Sequence, residues 1–161
     1  MRRIVVFALL LFVVMSFCFA DISTWEKGYY VDDFGDKTNH AYIQSDVVVI
    51  SPSNYEWDKQ YCYILIDSER VSFYFGKTGY RNWIIKTKTP DGLVSTYEGE
   101  LDPCGRIYLE SDSFDRLFIG DALAGCRVIA NPDNIYAHEK YDFGTVYLPK
   151  YKLKEVQPDF I

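Results

Sequence analysis

Methionine and histidine are almost missing from this chain. Its 161 residues include two of each. Both methionines, Met1 and Met15, fall within the first 20 residues, so the rest cannot build the flexible methionine-lined groove of a promiscuous binder. Any histidine-based site is restricted to His40 and His138. Basic side chains are outnumbered 17 to 23, and a net charge of −6 argues against a general nucleic-acid binder, which needs a basic face. Repeats, low-complexity tracts and linkers are also absent. What is present is 48% hydrophobic and 17% aromatic, a composition that excludes a disordered tail, a collagen-like repeat and a multi-span membrane protein. The length suits one domain with a sizeable core.

Residues 1–20 read as an export signal. Arg2 and Arg3 precede an apolar run from Ile4 to Val14, and Ser16-Phe17-Cys18-Phe19-Ala20 offers small residues for a cut after Ala20. Two alternatives remain: an uncleaved anchor, because Ile4 to Ala20 just reaches spanning length, or lipidation at Cys18. The expected location is therefore periplasmic or secreted, with membrane attachment only through one of those alternatives. Removing 20 of 161 residues leaves 141, and losing two arginines takes the charge from −6 to −8.

Three cysteines remain beyond the leader. An oxidising compartment makes a disulfide the default, and Cys104 with Cys126 is the preferred pair, closing a loop of about 20 residues worth on the order of 3 kcal/mol. A Cys62–Cys126 link stays open as the alternative, since spacing does not fix connectivity.

Short β-type runs separated by turn residues fill the chain. They are Val47–Ile50, Tyr61–Ile66 (continuous, as if buried on both faces), Val71–Phe75, Trp83–Thr87, Leu93–Tyr97, Arg106–Leu109, Arg127–Ala130 and Phe143–Leu148. Thr89-Pro90-Asp91-Gly92 is the strongest hairpin turn. One helix is expected from Asp112, as its cap, to Gly125, with Phe114, Leu117 and Phe118 on the packed face and Gly120 as a weak point. About eight strands and one short helix predict an all-β fold, an antiparallel β-sandwich or barrel-like single domain over residues 21–150. Residues 151–161 read as a loosely held C-terminal tail. The runs are too short for an outer-membrane barrel.

The stretch Trp25 to Thr38, with Tyr29-Tyr30-Val31-Asp32-Asp33-Phe34-Gly35-Asp36 at its centre and Tyr42-Ile43 beyond, resembles the opening of a group of uncharacterised secreted bacterial proteins. The order of Ile64-Leu65-Ile66-Asp67, Val71 to Phe75 and Phe114…Leu117 is more distantly similar to the exported β-sandwich modules of type VI secretion accessory proteins and of the invasion-associated locus B group. The resemblance implies an exported bacterial β-domain with no assigned catalytic residue. In physical terms Val31 to Asp36 is a strand leaving into an acidic turn that Phe34 anchors and Gly35 permits. Asp32, Asp33 and Asp36 are the candidate ligands should the turn hold calcium, although the alternating aspartates of an EF-hand are missing.

Catalytic motifs fail in turn. Gly76-Lys77-Thr78 imitates a phosphate loop, but Val71 stands where the first glycine is needed. His138-Glu139 opens like a zinc-protease helix and then meets Asp142 instead of a second histidine. No glycine-x-serine-x-glycine elbow occurs, and no local signature surrounds Cys62 or Cys104 to suggest a Cys–His pair. The positive feature is aromatic. Tyr55 and Trp57 in a loop and Tyr80 at a hairpin edge are the best exposed candidates, since flat rings with polar tips bind sugars and proteins. The expectation is a non-enzymatic exported β-domain without a cofactor, binding a protein or envelope glycan. A carbohydrate-binding module using Tyr55, Trp57 and Tyr80 is the alternative. A small metal-dependent hydrolase at His40, His138 and Asp142 is the least favoured.

Overall fold

The computed structural model describes residues 22–53, 58–76 and 79–160. Residues 1–20, expected to be a leader, and the loop residues Tyr55 and Trp57 lie outside these. Among the described residues no helix is long and apolar enough to cross a membrane.

The strands are β1 (Trp25–Val31), β2 (Lys37–Ser45), β3 (Val48–Ile50), β4 (Gln60–Asp67), β5 (Val71–Tyr74), β6 (Asn82–Lys88), β7 (Val94–Leu101), β8 (Arg106–Leu109), β9 (Cys126–Pro132) and β10 (Tyr141–Val146). Helix α1 (Asp112–Ala124) separates β8 from β9, and a single turn, α2 (Lys150–Leu153), follows β10. The chain is all-β, with its strands joined antiparallel in the order β1-β2-β4-β5-β8-β7-β6-β9-β10 and β3 beside the start of β4. The two ends of this path approach one another. Ile22 bridges Val146, its amide donating to Thr145 O at 2.7 Å while its carbonyl accepts from Tyr147 N at 2.8 Å. The sheet is thus barrel-like, curled around one core.

Period-two alternation fills that core. Ile64 and Ile66 on β4, Phe73 on β5, Trp83 and Ile85 on β6, Tyr97 on β7, Ile107 on β8, Val128 on β9 and Phe143 on β10 are all buried. Each large side chain removed from water contributes about 2 kcal/mol. Helix α1 closes the core by burying Phe118, Ile119 and Ala122, with the Phe118 ring edge-on to Phe73 at 5.2 Å. Its Asp121 carboxylate accepts from the Tyr97 hydroxyl at 2.6 Å and from Thr87 Oγ1, pinning the helix to β7 and β6.

Several expectations need correction. Ser111, not Asp112, caps α1, its hydroxyl accepting from Phe114 N at 3.3 Å. The helix continues through Gly120 to Gly125, because that glycine faces solvent and neighbouring turns hold the backbone. Leu117 is 59% exposed, since the helix rotates Phe118, Ile119 and Ala122 inward instead. The expected tail is not loose over residues 151–160: Leu153 and Val156 are buried, Phe160 packs on the core, and Gln157 Nε2 donates to Asp67 O at 2.7 Å. The disulfide is absent, with Cys62, Cys104 and Cys126 all free. Asp102 Oδ1 accepts from Cys104 N and Arg106 N, shaping a turn that exposes Cys104, whereas Cys126 sits in the core. Burial pushes the Cys62 and Cys126 thiols up to about 12, so neither is a nucleophile at neutral pH.

Candidate functional site: a tyrosine and arginine face

The same alternation that points Ile64, Phe73 and Ile107 inward points their chain neighbours outward. Pairing aligns Tyr63 of β4 with Tyr74 of β5, and Tyr74 with Arg106 of β8. The next outward row is Gln44, Leu65, Ser72 and Tyr108. Tyr63 and Tyr74 stack at 4.9 Å with planes 17° apart. Tyr61, 67% exposed, lies two residues before Tyr63 and opposite Val49 of β3, so apolar surface continues along β4. Tyr61–Ile66 is therefore not buried on both faces as its continuous apolar run suggested.

At the other end Tyr42 of β2 lies across Gly28 of β1. A Cβ at position 28 would come within 2.3 Å of the Tyr42 ring, so glycine is what allows the ring to lie flat there. Tyr30 of β1 meets Tyr42 at 5.0 Å, and its hydroxyl donates to Asp67 Oδ2 at 2.9 Å. Burial first, then the Asp67 charge, pushes the Tyr30 hydroxyl above its ordinary value, so it stays a donor. Asp67 Oδ1 accepts from Glu69 N at 2.8 Å and Arg70 N at 2.9 Å, folding the β4–β5 turn and fixing where Arg70 starts. The Arg70 guanidinium sits 5.5 Å from the Tyr108 ring, and that of Arg106 sits 5.7 Å from the Tyr30 ring.

That last contact defines the surface. Three strands, β2, β4 and β5, separate β1 from β8, so Tyr30 and Arg106 meet by reaching over them. Beneath lie Leu65 and Ser72, which face outward yet are only 3% and 2% exposed, and Leu65 belongs to no part of the central core. A thin aromatic and guanidinium layer therefore covers the outer sheet, its rings half-exposed.

Two clefts flank Arg70. One of about 790 Å³ includes Arg81, Glu100, Asp102 and Tyr108. The other, about 680 Å³, runs between the start of α1 and the C-terminal segment and includes Asp112, Asp115, Arg116 and Gln157. Asp115 is 4% exposed and accepts from Val71 N at 2.9 Å, and burial pushes its carboxyl up to about 6. Both clefts mix acids and bases. The arrangement suits holding a ligand or partner by ring faces, hydroxyls and guanidinium groups.

The sequence candidates fare unevenly. Tyr80 is half-buried against the core and gives its carbonyl to the Trp83 indole, so it is no free platform. His40 and His138 are exposed, while Asp142 pairs with Arg127 at 2.5 Å. Among the described residues no group of three or more His, Cys, Asp or Glu is disposed to hold a metal ion, those at His40, His138 and Asp142 included. The same applies to calcium at Asp32, Asp33 and Asp36: Asp32 Oδ1 instead accepts from Phe34 N and Asp36 N. Phe34 is 92% exposed and anchors nothing, because the turn is held by those backbone amides. The residues missed were Tyr30, Tyr42, Tyr63, Tyr74, Arg106 and Tyr108. For Tyr63, Tyr74, Arg106 and Tyr108 the signal was present in the outward positions of β4, β5 and β8, each one residue from a core position. No family model, curated protein or solved structure matches this chain.

Proposed function

We propose that this protein is an exported, non-enzymatic binding domain of a bacterial envelope, periplasmic or secreted, that holds a partner protein on its tyrosine and arginine face. The observation that carries the reading is the Tyr30–Arg106 layer over β2, β4 and β5. Tyrosine and arginine are the residues enriched at the centres of protein interfaces, where rigid rings bury area at small entropic cost. The leader-like first 20 residues and the failure of each catalytic motif support the same reading. The test compares captures from the native envelope by three full-length proteins: wild type, Arg106→Ala with Tyr74→Ala, and Lys86→Ala on distant β6. A partner held by wild type and Lys86→Ala but lost by the double variant supports the proposal. Equal capture by all three, or turnover of a substrate by the purified protein, overturns it.

A second reading has one observation in its favour. Tyr61 stands exposed beside the stacked Tyr63–Tyr74 pair, a run of ring faces suited to sugar rings. Glycan-array binding lost on Tyr61→Ala would select a carbohydrate module, now on β4 and β5 and without Tyr80.

A further inference from the structure

The distal end of the β1–β2 hairpin projects beyond the pairing of β2 with β4, which begins only at Tyr42. No residue from Glu26 to Tyr42 is buried, although the two strands stay paired from Trp25–Ser45 out to Val31–Lys37. Its tip is nonetheless firmly built. Asp32 N donates to Asp36 O at 2.9 Å and Gly35 N to Asp32 O at 3.0 Å, while Asp32 Oδ1 accepts from Phe34 N at 3.0 Å and Asp36 N at 2.9 Å. Gly35 adopts φ +86°, a conformation that a side chain would strain. Thr38 Oγ1 ties back to Tyr30 O at 3.0 Å. This frame displays apolar groups: Phe34 is 92% exposed, Val31 62% and Tyr29 38%. Tyr29 and Val31 share one face of β1, and with Phe34 at the apex they give the tip several exposed apolar groups rimmed by charged side chains, the composition of an interaction site.

The charges around Phe34 define what it fits. Asp32, Asp33 and Asp36 crowd the tip, whereas Lys27 and Lys37 are drawn back over the Tyr29 ring at 5.5 and 5.0 Å. An anionic tip is repelled by anionic lipid headgroups. Among the described residues of a second copy, each cleft beside Arg70 carries more carboxylates than guanidinium groups and so disfavours an anionic tip. We infer that the hairpin is a docking finger whose Phe34 ring enters an apolar pocket rimmed by Lys or Arg on a different protein. The tip is a separate surface from the tyrosine and arginine face, and the two contacts fail independently.

The experiment places a benzophenone side chain at position 34 of the full-length protein in its own cells, irradiates them, and maps the adduct by mass spectrometry. The expected result is one discrete protein adduct, joined at an apolar residue flanked by Lys or Arg. It falls at least tenfold when Asp33→Lys and Asp36→Lys are added, with the melting temperature unchanged, and it survives Arg106→Ala. Adducts only to lipid, only to a second copy of the chain, or insensitive to the charge reversal overturn the inference. So does a scatter of unrelated proteins. Loss with Arg106→Ala but not with charge reversal would instead assign the contact to the tyrosine and arginine face.

Discussion

Two adjacent rows of β4, β5 and β8 are built from the same backbone and differ in everything else. Ile64, Phe73 and Ile107 pair across the strands and are fully buried, while one residue earlier along β4 the row Tyr63, Tyr74 and Arg106 faces out and is half-exposed. The inner row is apolar to its tips and is covered by α1. The outer row ends in hydroxyls and a guanidinium, and what covers it is a single layer of its own long side chains. Inner tyrosines reinforce the contrast: Tyr97 is 1% exposed, and its hydroxyl is satisfied within the fold by Asp121. A single step in the pleat thus separates side chains that specify the fold from side chains held ready for a partner.

The comparison can be broken from the inside first. Phe73→Ala should cost about 3–5 kcal/mol in denaturant unfolding, because the ring contacts Phe75, Phe118 and Phe143 and its loss leaves a cavity. A loss below about 1 kcal/mol would show the inner row is not the core. Asp121→Ala should cost about 2–3 kcal/mol, stranding the Tyr97 and Thr87 hydroxyls. The Tyr97 hydroxyl, pushed up to about 12 by burial and then by Asp121, should also titrate lower in that variant.

Asp115, at the margin between the two regions, has the opposite sign. Its folded carboxyl holds its proton up to about 6, against an ordinary value near 3.8, so the folded state binds the proton more tightly than the unfolded chain. The stability that Asp115 contributes is therefore greatest below about pH 4, falls as the pH rises towards 6, and is level above that. Asp115→Asn keeps an oxygen for the Val71 amide and removes the charge. It should raise stability at pH 7 by about 1–2 kcal/mol and flatten that slope, read by urea unfolding at pH 4, 6 and 7. Smallest of all, Arg106→Ala should change stability by no more than about 1 kcal/mol while abolishing partner capture, the separation expected of an outward row.

The fold was legible where one periodicity ruled. Val71 to Phe75 and the Thr89–Gly92 turn follow from alternation and from proline and glycine placement, and so does the all-β class. Legibility ended where long-range contacts decide. Leu65 reads as core in a continuous apolar run, but it is buried by side chains that reach across from β1 and β8. The C-terminal segment looks polar and loose until Leu153 and Val156 meet the core and Gln157 meets Asp67. Phe34 reads as an anchor because apolar residues usually are, while Asp32 alone accepts enough backbone amides to hold that turn. Of the candidate site, only the general idea of an aromatic surface was readable. Which tyrosines form it depends on register, and register is not visible in a single strand.

Tyrosine-selective labelling, compared between the purified protein and the protein in intact cells and read residue by residue by mass spectrometry, tests the central claim most directly. The outward row predicts that Tyr61, Tyr63, Tyr74 and Tyr108 react in the purified protein and are protected in cells, while exposed Tyr136 and Tyr151 react alike in both. Equal labelling of the outward row in both settings, or protection confined to Tyr136 and Tyr151, would contradict a binding face on the tyrosine and arginine layer.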